Sequence, residues 1–162
     1  MAKYENICDN VHLPVQSGSN RILKEMNRLH TREEYFELID NIRRIIPDIS
    51  ISQDIISGFP TETEEDQKDT LSLMKHVKYD FGFMYAYSER PGTMAARKLA
   101  DDVPEEIKKR RLAEIIELQR EHCKERTERH LGKIQEVLIE GVSKKSEAHF
   151  MGRNSQNTVA VF

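Results

Sequence analysis

From residue 7 to about residue 100, short β-branched runs alternate with stretches whose apolar positions recur every three or four residues. Ile7 to Gln16 reads as a strand, Ser17-Gly18-Ser19 breaks it, and Asn20 to Arg28 has the helical spacing of Ile22, Leu23 and Met26. Thr31-Arg32-Glu33-Glu34 is a capping box. Tyr35, Leu38, Ile39, Ile42, Ile45 and Ile46 then predict one apolar helical stripe that stops at Pro47. Ile49 to Ile56 is the next strand, ended by Ser57-Gly58-Phe59-Pro60, and Thr61 to Glu65 opens a helix running to about Val77. Phe81 to Tyr87 is a third strand, ended by Ser88 to Thr93.

Strands alternating with helices in this way form βαβ units, so the fold class expected over residues 1–131 is α/β with parallel strands. Right-handed crossovers bring the C-terminal strand ends, each followed by a glycine-bearing loop, to one rim, where parallel α/β folds bind their ligands. Three strands complete neither a barrel nor a doubly wound sheet. Part of such a domain is therefore expected.

Residues 105–131 hold 15 charged residues in 27, with Ile107, Leu112, Ile115, Ile116 and Leu118 as the apolar minority, which predicts one long helix with a narrow buried face. Its eight basic and seven acidic residues fall largely at spacings of three and four, so an ion-paired solvated face is preferred to an RNA track. From Gly132 the period becomes two. Ile134 to Glu140, Ala148 to Arg153 and Val159 to Phe162 predict the opening strands of a small antiparallel unit, residues 132–162, with Ser143 to Ser146 at a hairpin tip. The closing strand runs to Phe162 without a following turn, as expected of a piece cut from a longer chain.

The 162 residues are 38% apolar and 33% charged with net charge −3, a composition that allows a core and argues against disorder or a basic field over the whole surface. No run of about 18 apolar residues marks a membrane span or leader, and a cytoplasmic location is expected. Cys8 and Cys123 lie 115 positions apart without a Cys-x-x-Cys spacing, so both are expected to be packed, reduced thiols.

Two rim segments could carry chemistry. Gln16-Ser17-Gly18-Ser19-Asn20 joins a strand end to a helix start, where free amides and hydroxyls suit a ribose, carboxylate or phosphate, although Ser19 equally reads as an N-cap. Asp54 to Glu62 contains Gly58, which permits close approach of a ligand to the backbone, and Glu62, which serves either a ligand or a helix dipole. Asp54 in an apolar strand must be paired or face a polar interior. His12 reads as a hydrogen-bonded interior group, and His122 beside Cys123 has no third ligand at metal spacing. Neither a nucleophilic triad nor a Walker loop is evident.

Taken together, His12-Leu13-Pro14-Val15-Gln16-Ser17-Gly18-Ser19, then Met26-Asn27-Arg28 with Thr31 and Tyr35, then Asp54 to Asp66, and Tyr87-Ser88-Glu89-Arg90-Pro91-Gly92-Thr93 resemble the radical S-adenosylmethionine methylthiotransferases. The motif variants are most similar to the branch that adds a methylthio group to C2 of N6-isopentenyl-adenosine beside a tRNA anticodon. Sister branches act on threonylcarbamoyl-adenosine tRNA or a ribosomal protein. The resemblance implies the second half of a partial (βα)6 barrel, followed by the start of a TRAM domain. It implies S-adenosylmethionine and two [4Fe-4S] clusters as cofactors, the tRNA anticodon stem-loop as partner, and a monomeric parent. Gln16, Ser17, Ser19, Asp54, Gly58 and Glu62 are the cofactor contacts it implies. Thr61 stands where the family usually has glycine. Cys8 and Cys123 match none of the family's cluster ligands, so this stretch alone is expected to be inactive. The rival from another class is a non-catalytic RNA-binding scaffold.

Overall fold

The computed structural model describes residues 1–4 and 6–162. Strands β1 (Asn10–His12), β2 (Ser50–Ser57) and β3 (Phe81–Ala86) form a parallel sheet in that order. The connections are α1 (Asn20–Glu25) and α2 (Arg32–Ile45) between β1 and β2, and α3 (Glu64–Val77) between β2 and β3. A short helix α4 (Met94–Lys98), absent from the periodicity, leads to the long α5 (Glu105–Glu128). A separate antiparallel sheet of β4 (Leu138–Ser143), β5 (Ser146–Arg153) and β6 (Val159–Val161) follows, with Lys144-Lys145 at its first turn.

The first strand is shorter than its β-branched content predicts. Pro14 has no N–H to donate, and pairing resumes only at Gln16, whose amide donates to the Asp54 carbonyl at 2.8 Å while its own carbonyl accepts from Ile56 at 3.0 Å. The predicted caps form. Ser19 accepts from the Ile22 amide, and the Thr31–Glu34 box is complete. The following helix is capped by Thr63 with Asp66 as reciprocal partner, two residues beyond the start read from Thr61.

Val15, Tyr35, Ile39, Ile51, Ile55, Leu73, Met74, Val77, Tyr79 and Ile115 make the core between sheet and helices. The Tyr79 hydroxyl, fully buried, donates to Tyr35 Oη at 3.0 Å, and Tyr35 donates to the Leu13 carbonyl at 2.9 Å. Burial pushes the Tyr35 phenol up to about 12. Leu38 and Ile45, placed in the stripe by their spacing, are exposed, because the buried arc of α2 is narrower than the apolar one.

The buried face of α5 is the larger departure from pattern. Lys108, Arg111, Ile115, Gln119, His122 and Arg126 recur every three or four residues and all face inward, so the contact stripe is mostly polar. Several of these side chains find distant acceptors: Gln119 donates to the Tyr79 carbonyl at 2.9 Å, while Arg126 engages Asp80 at 2.8 Å and the Ile49 carbonyl at 2.8 Å. The outward face carries the expected short-range pairs, such as Arg110 with Glu114. Cys8 is exposed, correcting the expectation that both thiols are packed; Cys123 is half-buried and donates to the Asp80 carbonyl. Ile134 is also exposed and precedes the first strand of the second sheet. Among the described residues, no helix is long and apolar enough to cross a membrane.

Candidate functional site

Parallel register sets the site. Asn10 pairs with Ser50 and Ser52 with Phe81, so the three C-terminal strand ends, at Gln16, Ser57 and Ala86, lie along one edge. The turns beginning at Ser17, Gly58 and Tyr87 all leave from that edge. Between α1's last turn and the start of α4 they enclose a groove of about 240 Å³, bordered by Gln16, Arg28, Ile56, Phe59 and Thr93. A larger hollow of about 440 Å³ beside Leu13, Tyr35 and Leu38 contains none of the candidate residues.

Gln16 enters the groove from an uncommon backbone geometry, φ of 72°, which turns the chain after its single bridge to β2. Asp54 lies on the face of β2 opposite the helices, as do His12 of β1 and Phe83 of β3. Its Oδ2 is 3.5 Å from His12 Nε2, which supplies the partner that a carboxylate in an apolar strand requires. His12 is hydrogen-bonded, as expected, but its side chain is 43% exposed and open to the sheet's uncovered face.

The other four candidates are engaged by the protein itself. Ser17 accepts from the Ser19 amide at 3.2 Å, and its hydroxyl lies 3.5 Å from that of Thr70. Ser19 caps α1 and donates to Asp66 at 2.6 Å. Gly58 has φ of 72°, and a Cβ there would run into Lys108 Cγ, so the lysine methylenes fill the space where a ligand was expected to approach. Glu62 accepts from the Gly58 amide at 2.9 Å and from Arg111 at 2.9 Å, both charged side chains being almost fully buried. Burial pushes the Glu62 carboxyl up, against the opposing pull of the Gly58 N–H and Arg111.

Asp66 joins the two rim turns, a role that the sequence reading missed although the residue closes a quoted motif. Ser19, Arg21 and the Thr63 amide and hydroxyl all donate to its carboxylate. Burial alone would push this carboxyl up; the four donors outweigh it and hold it at about 2. Arg21 also donates to the Thr61 carbonyl at 2.7 Å, while Asp102 accepts from the Thr61 amide at 2.7 Å. These contacts hold Thr61 at φ of 71°, a geometry that glycine adopts more readily.

Arg28 is the second residue that periodicity did not single out as functional. It is exposed, it borders the groove, and among the described residues its guanidinium makes no ion pair or hydrogen bond, whereas Arg21 and Arg32 on either side are fully engaged. A cation bordering the same groove as Gln16, with the Asp54 carboxylate two residues before the groove residue Ile56, offers complementary groups for a zwitterionic, hydroxyl-bearing ligand. Among the described residues no group of three or more His, Cys, Asp or Glu could hold a metal ion.

The three parallel strands deliver their turns to one edge, and residues 1–74 match the Radical SAM superfamily. A solved structure titled as a radical SAM enzyme, coproporphyrinogen III oxidase from Escherichia coli, superposes with a TM-score of 0.59 at 27% identity, covering 70% of this chain and 27% of the other. Over all 162 residues the chain is 67% identical to the tRNA-2-methylthio-N(6)-dimethylallyladenosine synthases of Christiangramia forsetii and Flavobacterium johnsoniae. It is 59% identical over 160 residues to that of Amoebophilus asiaticus. The resemblance drawn from the four motifs is thereby borne out. The chain spans about a third of the length of these relatives, 34% in the first two and 33% in the third.

Proposed function

We propose that this chain is the rim-bearing part of a tRNA methylthiotransferase that acts in the cytoplasm on C2 of N6-isopentenyl-adenosine beside the anticodon, and that the groove holds S-adenosylmethionine. The observation that carries the reading is that Gln16 and Arg28, whose guanidinium has no partner among the described residues, border one groove at the C-terminal strand edge, with Asp54 two residues before the groove residue Ile56 on the same strand. Arg28 takes the carboxylate of the methionine portion, and Asp54 takes an ammonium or ribose hydroxyl. Gln16 supplies an amide donor and acceptor. Ser17, Ser19, Gly58 and Glu62 act at the same site by fixing the two turns that frame it. When bound, S-adenosylmethionine supplies the radical chemistry and the methyl group that side-chain acids and bases cannot. Among the described residues Cys8 and Cys123 have no companion ligands, so they do not fit an iron–sulfur cluster.

The antiparallel sheet of residues 132–162 is read as the opening of a TRAM-type RNA-binding unit, with residues 1–131 as the second half of a partial barrel. Strands β4 to β6 and the exposed Lys144 and Lys145 at the hairpin tip support that division. The tRNA anticodon stem-loop is the proposed partner, and the parent is proposed to act as a monomer.

The test uses the full-length protein with its clusters reconstituted, tRNA carrying isopentenyl-adenosine, and mass analysis of the digested nucleosides. Methylthio-isopentenyl-adenosine should form, and Arg28→Ala should reduce its rate at least 10-fold with most of the loss in the KM for S-adenosylmethionine, the pattern of a lost ground-state contact. Product formed only on threonylcarbamoyl-adenosine tRNA or on a protein would overturn the substrate assignment. An unchanged KM in Arg28→Ala would overturn the groove assignment.

A further inference from the structure

His12 touches all three strands of the parallel sheet. Carried by β1, its ring places Nδ1 3.0 Å from Ser52 Oγ and Nε2 3.5 Å from Asp54 Oδ2 on β2, and meets Phe83 of β3 edge-on with centroids 6.2 Å apart. The arrangement follows from register, because His12 pairs with Ser52, and Asp54, two positions further along, shares the same face. A neutral imidazole has one donor and one acceptor. An ionised Asp54 can only accept, so Nε2 carries the proton and Nδ1 accepts from the Ser52 hydroxyl. Nδ1 is then hydrogen-bonded, and Nε2 faces Oδ2 in a longer electrostatic contact of 3.5 Å. Asp54 Oδ1, by contrast, has no protein partner among the described residues, and its side chain is 30% exposed. One oxygen faces the ring and the other has no partner among the described residues, on the face that continues, two residues on, to Ile56 at the groove.

We infer that His12 is a positioning residue for Asp54: by holding Oδ2 it aims Oδ1 at a hydroxyl or ammonium donor of the nucleoside ligand in the groove. This rests on the reading of the rim as the S-adenosylmethionine site. Without the tether the Asp54 carboxylate samples several rotamers, and the ligand must then order it at a cost of roughly 3- to 10-fold in affinity.

Two measurements test the role, NMR on this chain and calorimetry on the full-length protein with its clusters reconstituted, both at about pH 8.5, well above the ordinary imidazole range. Long-range ¹H–¹⁵N NMR reads the ring directly, and a single Nε2–H tautomer is expected in the wild type. Loss of that preference is expected in Asp54→Asn, whose amide can donate as well as accept. Titration calorimetry with S-adenosylmethionine reads the consequence: His12→Phe, which keeps a ring against Phe83, should weaken binding 3- to 10-fold, and His12→Gln, which restores a donor near the Nε2 position, should recover part of the loss. Arg28→Ala serves as the control for the groove. If Arg28→Ala and Asp54→Asn weaken binding while His12→Phe does not, the positioning role is overturned and the cofactor reading stands. An Nδ1–H or averaged ring in the wild type also overturns the role. Binding that is absent from the wild type, or indifferent to both Arg28 and Asp54, removes the cofactor reading and the role of His12 with it.

Discussion

The sharpest prediction concerns Asp66→Asn. The wild-type carboxylate is 5% exposed and held at about 2 by Ser19, Arg21 and Thr63, against an ordinary value of 3.8. A folded-state value below the unfolded one stabilises the fold above pH 4, and the stabilisation is lost as pH falls from about 4 toward 2. The full shift corresponds to about 2 kcal/mol. Arg21, however, is 46% exposed, and water screens its share, so a contribution of about 1–2 kcal/mol is expected. Urea unfolding followed by circular dichroism should show Asp66→Asn less stable by that amount at pH 7, with the gap closing as the wild-type carboxylate protonates near pH 2. Hydrogen exchange at the Gly18 and Ser19 amides should accelerate in the variant at pH 7, because Asp66 links their turn to α3. A stability gap that stayed constant from pH 7 to pH 2, or no gap at pH 7, would refute the reasoning.

Two further outcomes follow from the packing of α5. Gly58→Ala, forced to place a methyl at φ of 72° against Lys108, should lose about 1–3 kcal/mol in thermal or urea denaturation, and Gly58→Ala with Lys108→Ala should recover part of it. Arg111→Met should cost about 3–5 kcal/mol by stranding the buried Glu62, whereas Arg111→Met with Glu62→Met should cost clearly less; equal losses in the two variants would show that the pair is not acting as a unit.

The α/β alternation, the rim and the helix caps were legible because each depends on neighbours within a few residues. Ser19 and Thr31 announce their caps locally, and the alternation of strand and helix dictates parallel pairing. The inward face of α5 was not legible. Hydrophobic periodicity assumes that buried means apolar, yet Arg111 reaches Glu62 across 49 positions and Arg126 reaches Asp80 across 46, so the partners that permit burial are invisible to a local window. The same limit hid the work of Gly58. Its positive φ could be anticipated from the turn, but nothing nearby in the chain indicates that a lysine 50 positions later occupies the vacant side-chain space. Of the six cofactor candidates, Gln16 borders the groove and Asp54 lies beside His12 on the uncovered face of the sheet. Ser17, Ser19 and Glu62 are engaged in protein hydrogen bonds whose donors and acceptors come from other elements.

The close fit of the Lys108 stem over Gly58 makes the two positions joint tenants of one small volume. A lineage that enlarges residue 58 must trim residue 108, and the Asp101 and Glu105 carboxylates that answer the lysine's charge are then released from selection. Substitutions at these four sites should therefore arrive together across related chains, a pattern of correlated drift that neither helix propensity nor surface charge would generate.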